Sequence, residues 1–125
     1  MALITTESAS LVIGCAMTVH RKLGPGLFES VYEPCLAHEM ELAGLQFDRQ
    51  VPLPLTYDGI MFERGFRVDF VVENELVVEI KSVEHLIPVH KAQLLTYMKL
   101  TGLRKGLLLN FNEALLKHGI KSVVL

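Results

Sequence analysis

The sequence predicts an α/β fold in which a mixed sheet carries packed helices. Three observations lead there. Apolar residues recur at helical spacing through the first third of the chain. The period then drops to two between Phe47 and Lys81. A further helical stretch follows, and after it a short run of leucines. The resulting order is α-α-β-β-β-α-β, with a last strand as an extension. It suits the 125 residues of one domain of ordinary size, spanning 1–125.

The first helix is expected from Thr6 to Leu23. Thr5 or Thr6 can cap it, Glu7 suits the positive end of its dipole, and Gly24-Pro25-Gly26 stops it. A second helix is expected from Leu27 to Ala43, with Phe28, Val31, Cys35, Leu36 and Leu42 as its apolar stripe. Pro34 removes a backbone donor there and should kink the helix or delay its start. Phe47 to Tyr57 reads as a strand made edge-like by Pro52 and Pro54. Asp58-Gly59 signals a hairpin turn into Ile60 to Val72. On that strand Phe66, Val68, Phe70 and Val72 are expected on one face, and Arg67, Asp69 and Val71 on the other. Glu73-Asn74-Glu75 turns the chain into Leu76 to Lys81. Pro88 opens a helix that ends at Gly102, and Leu107 to Leu109 form a short buried strand. Ile120 to Leu125 is the last strand candidate.

Composition removes several function classes. At 50% hydrophobic and 21% charged, the chain can bury a core and is not disordered. The longest mainly apolar stretch, Leu11 to Val19, is about half of the roughly 20 residues that a membrane span needs. No secretory signal is visible at Met1, so a cytoplasmic location is expected. A net charge of −2 provides no basic coat for indiscriminate nucleic-acid binding, although a small basic groove is compatible with it. Cys15 and Cys35 show no metal-ligand spacing and read as reduced, half-buried side chains.

Chemistry concentrates on the central hairpin. If the turn is centred on Asn74, Asp69 lies opposite Glu79, with about 5 Å between their Cβ atoms. Lys81, two residues on, shares the face of Glu79. Two carboxylates that close repel unless a cation separates them or one takes a proton. Their oxygens, with a backbone carbonyl and waters, suit Mg²⁺ or Mn²⁺. The plain alternative is a solvated sheet face with ordinary charged residues.

At these residues the sequence resembles a known group. Val68-Asp69 followed by Glu79-Ile80-Lys81 resembles the core of PD-(D/E)xK nucleases, without the proline and first letter. Gln93-Leu94-Leu95-Thr96-Tyr97 resembles the Q-x-x-x-Y motif of RecB-type nuclease domains. Gly26-Leu27-Phe28-Glu29-Ser30-Val31-Tyr32 is similar to the signature of the GxxExxY family, a bacterial branch of that superfamily. So are its lead-in Val19 to Gly26, the segment Gln50-Val51-Pro52-Leu53-Pro54, and Gly106 to Phe111. Pro34 and Asp48 depart mildly from the pattern. The resemblance implies a restriction-endonuclease-like core, α-β-β-β-α-β, with an extra N-terminal helix. It implies Asp69, Glu79 and Glu29 as ligands of Mg²⁺, with Mn²⁺ as substitute. Lys81 is implied as the catalytic lysine, with Gln93 and Tyr97 buttressing the site or touching nucleic acid.

The expected activity is therefore metal-dependent hydrolysis of phosphodiester bonds, in DNA rather than RNA. One alternative is a nuclease-fold module for binding or assembly without robust catalysis. Another is a hydrolase of a small phosphodiester such as a nucleotide. The small size suggests a homodimer or a larger complex. Other residues have plainer readings. Glu29 suits a helix first turn and Tyr32 packs. His90, Gln93 and Tyr97 share one helix face. His20 suits the negative end of its helix, and His85 and His118 look like loop residues. Asn110 reads as a strand-end hydrogen-bonding residue.

Overall fold

The computed structural model describes residues 7–125. The expected Thr5 or Thr6 cap lies outside them. Two helices come first, α1 (Glu7–Leu23) and α2 (Glu29–Leu42). Three strands follow, β1 (Phe47–Tyr57), β2 (Ile60–Val72) and β3 (Leu76–Lys81). Then come α3 (Pro88–Thr101), β4 (Lys105–Asn110), a 3-10 turn (Leu116–Gly119) and β5 (Ile120–Val124). Helix α2 starts two residues later than expected, with Pro34 inside it. Val31 N–H instead bonds Phe28 O at 3.0 Å, a tighter turn that opens the helix. The 3-10 turn was not legible in the sequence.

The five strands lie in the order β1-β2-β3-β4-β5. The two hairpins β1/β2 and β2/β3 are antiparallel. Strands β3 and β4 are parallel, joined by α3, and β5 returns antiparallel. This is the mixed, helix-covered sheet of a restriction-endonuclease-like fold, with α1 as the extra N-terminal helix. Strands β3 and β4 are buried on both faces, which explains their nearly unbroken apolar runs. Helices α1 and α2 cover one face through Val12, Ala16, Tyr32, Leu36 and Met40, packed on Phe70, Val78 and Leu109. Helix α3 covers the other through Leu94, Tyr97 and Met98, packed on Val71, Val77 and Leu108.

One expectation about β2 is corrected. Phe70 and Val72 belong to the core under α1 and α2, whereas Phe66 and Val68 pack in the core under α3. Phe47 and Val51 of β1 divide between the two cores in the same way. The cause lies between them. Gln50 has a φ of 50°, and the Gln50–Asp69 pair is missing from a ladder whose register is otherwise kept, from Arg49 opposite Phe70 to Val51 opposite Val68. The left-handed residue turns β1 over, so strict alternation fails along it, and β2 reverses opposite, at Asp69, without a left-handed residue of its own. Beyond, the register slips between Leu53 and Leu55. A Cβ on Gly65 would lie 2.5 Å from Leu55 Cβ, so only glycine fits there. The far end of this hairpin stands clear of the cores and exposes Tyr57, Ile60, Met61 and Phe62.

Tyr32 closes the entry to α2. Its ring is fully buried and stacks on Phe111 with centroids 4.6 Å apart. Its hydroxyl donates to Gly24 O at 2.6 Å and accepts from Leu27 N–H at 3.2 Å, pinning the glycine-rich loop. Tyr32→Phe should keep the fold and cost ~1–2 kcal/mol, read as a lowered denaturant midpoint at unchanged slope. Tyr32→Ala should cost ~3–5 kcal/mol, because it also opens a cavity. Equal stabilities for the two variants would show that the hydroxyl, not the ring, holds this corner.

Candidate active site

The hairpin register puts Phe70 opposite Val78, Val71 opposite Val77 and Val72 opposite Leu76, so the turn is centred on Asn74 as expected. The backbone ladder then stops, one step short of Asp69 and Glu79. Side chains take over. Glu79 Oε1 accepts the Asp69 backbone N–H at 2.9 Å, and Asp69 Oδ2 accepts the Ile80 N–H at 2.8 Å. Each carboxylate satisfies an amide of the opposite strand that the divergence leaves without a ladder partner. Glu79 is only 5% exposed. Burial pushes its carboxyl up from the ordinary 4.5 to about 8. The Asp69 charge adds to this, while the bond from the Asp69 amide and the Lys81 charge oppose it.

Lys81 extends from the end of β3 toward α3, and its Nζ donates to Gln93 Oε1 at 2.7 Å. Tyr97, four residues on, shares that helix face with Gln93. Burial raises the Tyr97 hydroxyl pKa, helped by the negative charge of Glu79. Tyr97 is 5% exposed and meets Phe66 edge-on at 5.9 Å. A ring that buried cannot stack on a base; it packs in the core, and Gln93 is the residue that bonds the lysine.

On the α2 side, Asp69 lines a cleft of about 480 Å³ with Glu29, Glu33, Arg49, Gln50 and Arg67. Glu33 was not singled out from the sequence. Its signal was its place four residues after Glu29, on the same helix face. It is 7% exposed, held by Arg49 Nη2 at 2.5 Å and Nε at 3.2 Å, and by Gln50 Nε2 at 2.9 Å. Burial pushes its pKa up, but the bonds from Arg49 and Gln50 and the charges of Arg49 and Arg67 outweigh that and hold it below its ordinary value. Gln50 Nε2 also reaches Asp69 Oδ1 at 3.3 Å.

Glu29 stands in the first turn of α2, exposed, and its Oε1 accepts the Ser82 N–H at 3.1 Å. Ser82 Oγ donates to Leu27 O at 2.5 Å, so the residue after Lys81 is tied to the start of α2. Buried Asn110 completes the loop: its side chain accepts from Val83 N–H at 3.0 Å and donates to Val83 O at 2.9 Å. This is the strand-end hydrogen-bonding residue expected. Among the described residues, no three His, Cys, Asp or Glu side chains form a ready cation-binding group. The donor set present is the carboxylate pair Asp69 and Glu79, with Glu29 on the rim of the same cleft. That chemistry fits a hard divalent cation, whose charge would offset both the burial and the Asp69 repulsion that raise the Glu79 pKa. His90 turns inward on its own helix, where Nδ1 accepts the Ile87 N–H at 3.0 Å as a cap. His20 Nε2 pairs with Glu113 O at 2.7 Å.

A family model described as the PD-(D/E)XK nuclease superfamily matches residues 6–123. No curated protein and no solved structure matches the chain.

The raised Glu79 pKa has a definite sign. The folded chain holds a proton that the unfolded chain releases above about 4.5, so this contribution to stability is complete below that pH. It is lost as pH rises toward about 8. Metal-free Glu79→Gln should therefore be more stable than wild type by at least ~1–2 kcal/mol at about pH 8.5 and nearly equal to it at about pH 5. Chemical unfolding at both pH values checks this. Parallel pH profiles for the two proteins would show that Glu79 is ionised in the fold.

Proposed function

The chain belongs to the PD-(D/E)XK nuclease superfamily, and from that premise we propose that it is a divalent-metal-dependent nuclease acting on DNA. The observation that carries this reading is the pair Asp69 and Glu79, bonded across diverging strands, with Lys81 held beside them by Gln93. In this reading residues 1–125 work as one nuclease domain of the GxxExxY branch, bacterial and cytoplasmic. The spacing of Gly26, Glu29 and Tyr32 supports the branch, and the free Cys15 and Cys35 support the location. Among the described residues no helix is long and apolar enough to cross a membrane.

Asp69 and Glu79 would hold Mg²⁺, or Mn²⁺ in its place, with Glu29 as a further ligand from the rim of the cleft. The ion would supply an activated water and neutralise charge on a phosphoryl oxygen. The remaining work falls to the chain. Glu79 gives up its proton on loading. Lys81, its Nζ held by Gln93, presents a positive charge to the attacking water and to charge developing on the phosphate. Gln93 fixes that charge in place. Arg67, in the same cleft, receives a flanking phosphate of the strand. The exposed hairpin face of Tyr57, Ile60 and Phe62 supports a homodimer or larger complex. The same face favours a second reading, an assembly module that kept the fold without robust catalysis.

Lys81→Ala should lower metal-dependent DNA cleavage at least ~100-fold with an unchanged circular dichroism spectrum. Gln93→Ala, acting only through the lysine, should cost about 10-fold. Calorimetric titration of Mn²⁺ should show binding in wild type and none in the Asp69→Ala, Glu79→Ala double variant. Cleavage indifferent to Lys81→Ala would defeat the mechanism. Mn²⁺ isotherms identical in wild type and the double variant would favour the assembly module.

A further inference from the structure

Gln50 opens a segment of the resemblance to which the reaction gives no role, and its backbone is unusual. A non-glycine residue at a φ of 50° inside a strand is uncommon. It sits where β1 and β2 lose one ladder pair, directly across from Asp69. Its side chain is half-buried between two carboxylates. Nε2 donates to Glu33 Oε2 at 2.9 Å and to Asp69 Oδ1 at 3.3 Å. Carboxylates at this distance can only accept, so the amide nitrogen must face them, and its two hydrogens serve one each. Glu33 cannot drift, because Arg49 grips both its oxygens. The left-handed backbone brings the amide to this point.

We propose that Gln50 is a positioning residue for Asp69. Anchored by the Glu33–Arg49 pair, its amide holds Oδ1 toward the cleft while Oδ2 stays on the Ile80 amide. The Asp69 carboxylate is thereby kept in one orientation before any cation arrives. The functional half of this statement rests on the metal reading above; the orientation itself does not.

The test separates the two halves. Gln50→Gly keeps the left-handed backbone without strain and removes only the amide. Gln50→Asn also tolerates that backbone but is one carbon too short to reach both carboxylates. Hydrogen exchange of the Ile80 amide in metal-free protein reports whether Asp69 still caps it. In Gln50→Gly it should exchange roughly tenfold faster, as expected when a bond to a charged acceptor loosens, while Leu108 in the neighbouring strand is unchanged. Gln50→Asn should fall between Gln50→Gly and wild type. Asp69→Ala should lose Ile80 protection altogether. Mn²⁺ affinity by calorimetry should drop about tenfold in Gln50→Gly. With DNA at saturating Mn²⁺, kcat should fall while KM stays. Ile80 protection in Gln50→Gly equal to wild type, or Leu108 loosened as much as Ile80, overturns the proposal whatever the metal does. A wild type that fails to bind Mn²⁺ overturns the metal reading instead, and Ile80 exchange still decides the orientation.

Discussion

The site depends on a reciprocal exchange at the end of one ladder. Where β2 and β3 part, the Asp69 and Ile80 amides would be left without partners inside a protein, at a cost of ~1–3 kcal/mol each. Glu79 and Asp69 supply the missing acceptors. The same oxygens that make the site charged therefore hold its backbone. Divergence is what allows this. Had the ladder continued one more pair, both carboxylates would have projected from a closed sheet and their cross-strand bonds would not form. The cost is a nearly enclosed carboxylate beside a second one, and it appears as the upward shift of Glu79, driven first by burial and then by the Asp69 charge.

The two cores each contribute a brace. Under α3, Gln93 bonds Lys81; under α2, Arg49 and Glu33 hold Gln50, which reaches Asp69. The reversal of β1 and β2 at Gln50 and Asp69 is what gives one carboxylate pair access to both sides of the sheet. Asp69 lines the cleft beside α2, yet its charge is felt by Tyr97 on α3. The two amides use opposite ends: Gln50 donates to carboxylates, and Gln93 accepts from the lysine.

The strands and the Asp58-Gly59 turn were legible because each rests on local chemistry. The register of the central hairpin was not fixed by the sequence: the juxtaposition of Asp69 and Glu79 required the turn to be centred on Asn74, and the observed pairing has it there. Three other features were not legible. The left-handed Gln50 carries no glycine or asparagine to announce it, and alternation fails on both strands there, along β1 at Gln50 and along β2 at the facing Asp69. Glu33 looks like any helical glutamate until Arg49, from a strand sixteen positions on, closes over it. His90 shares a face with Gln93 by spacing, yet its ring is spent on capping Ile87. Each depends on long-range packing or on a rotamer, which a single sequence does not encode locally.

Charge in the cleft leads to a last consequence of the proposed chemistry. Glu29, Glu33 and Asp69 line the cleft with Arg49 and Arg67, and Glu79 adjoins Asp69 with the Lys81 charge beside it. With Glu79 protonated, these acids and bases balance, and the formal charge of the chain, −2 with every acid ionised, becomes −1. Such a protein has little long-range attraction for a polyanion. With a divalent ion bound and the Glu79 proton lost, this group of residues would carry one net positive charge, on a chain whose own formal charge is negative. Attraction for a phosphate backbone then exists only at the site, only in the loaded state, and within about a Debye length, roughly 8 Å at physiological salt. On this reading metal loading couples catalysis to substrate capture: the ion that activates the water is also what makes the cleft attractive to the strand. The acidic balance of the sequence, which at first argues against nucleic acid, becomes a means of keeping the unloaded protein off it.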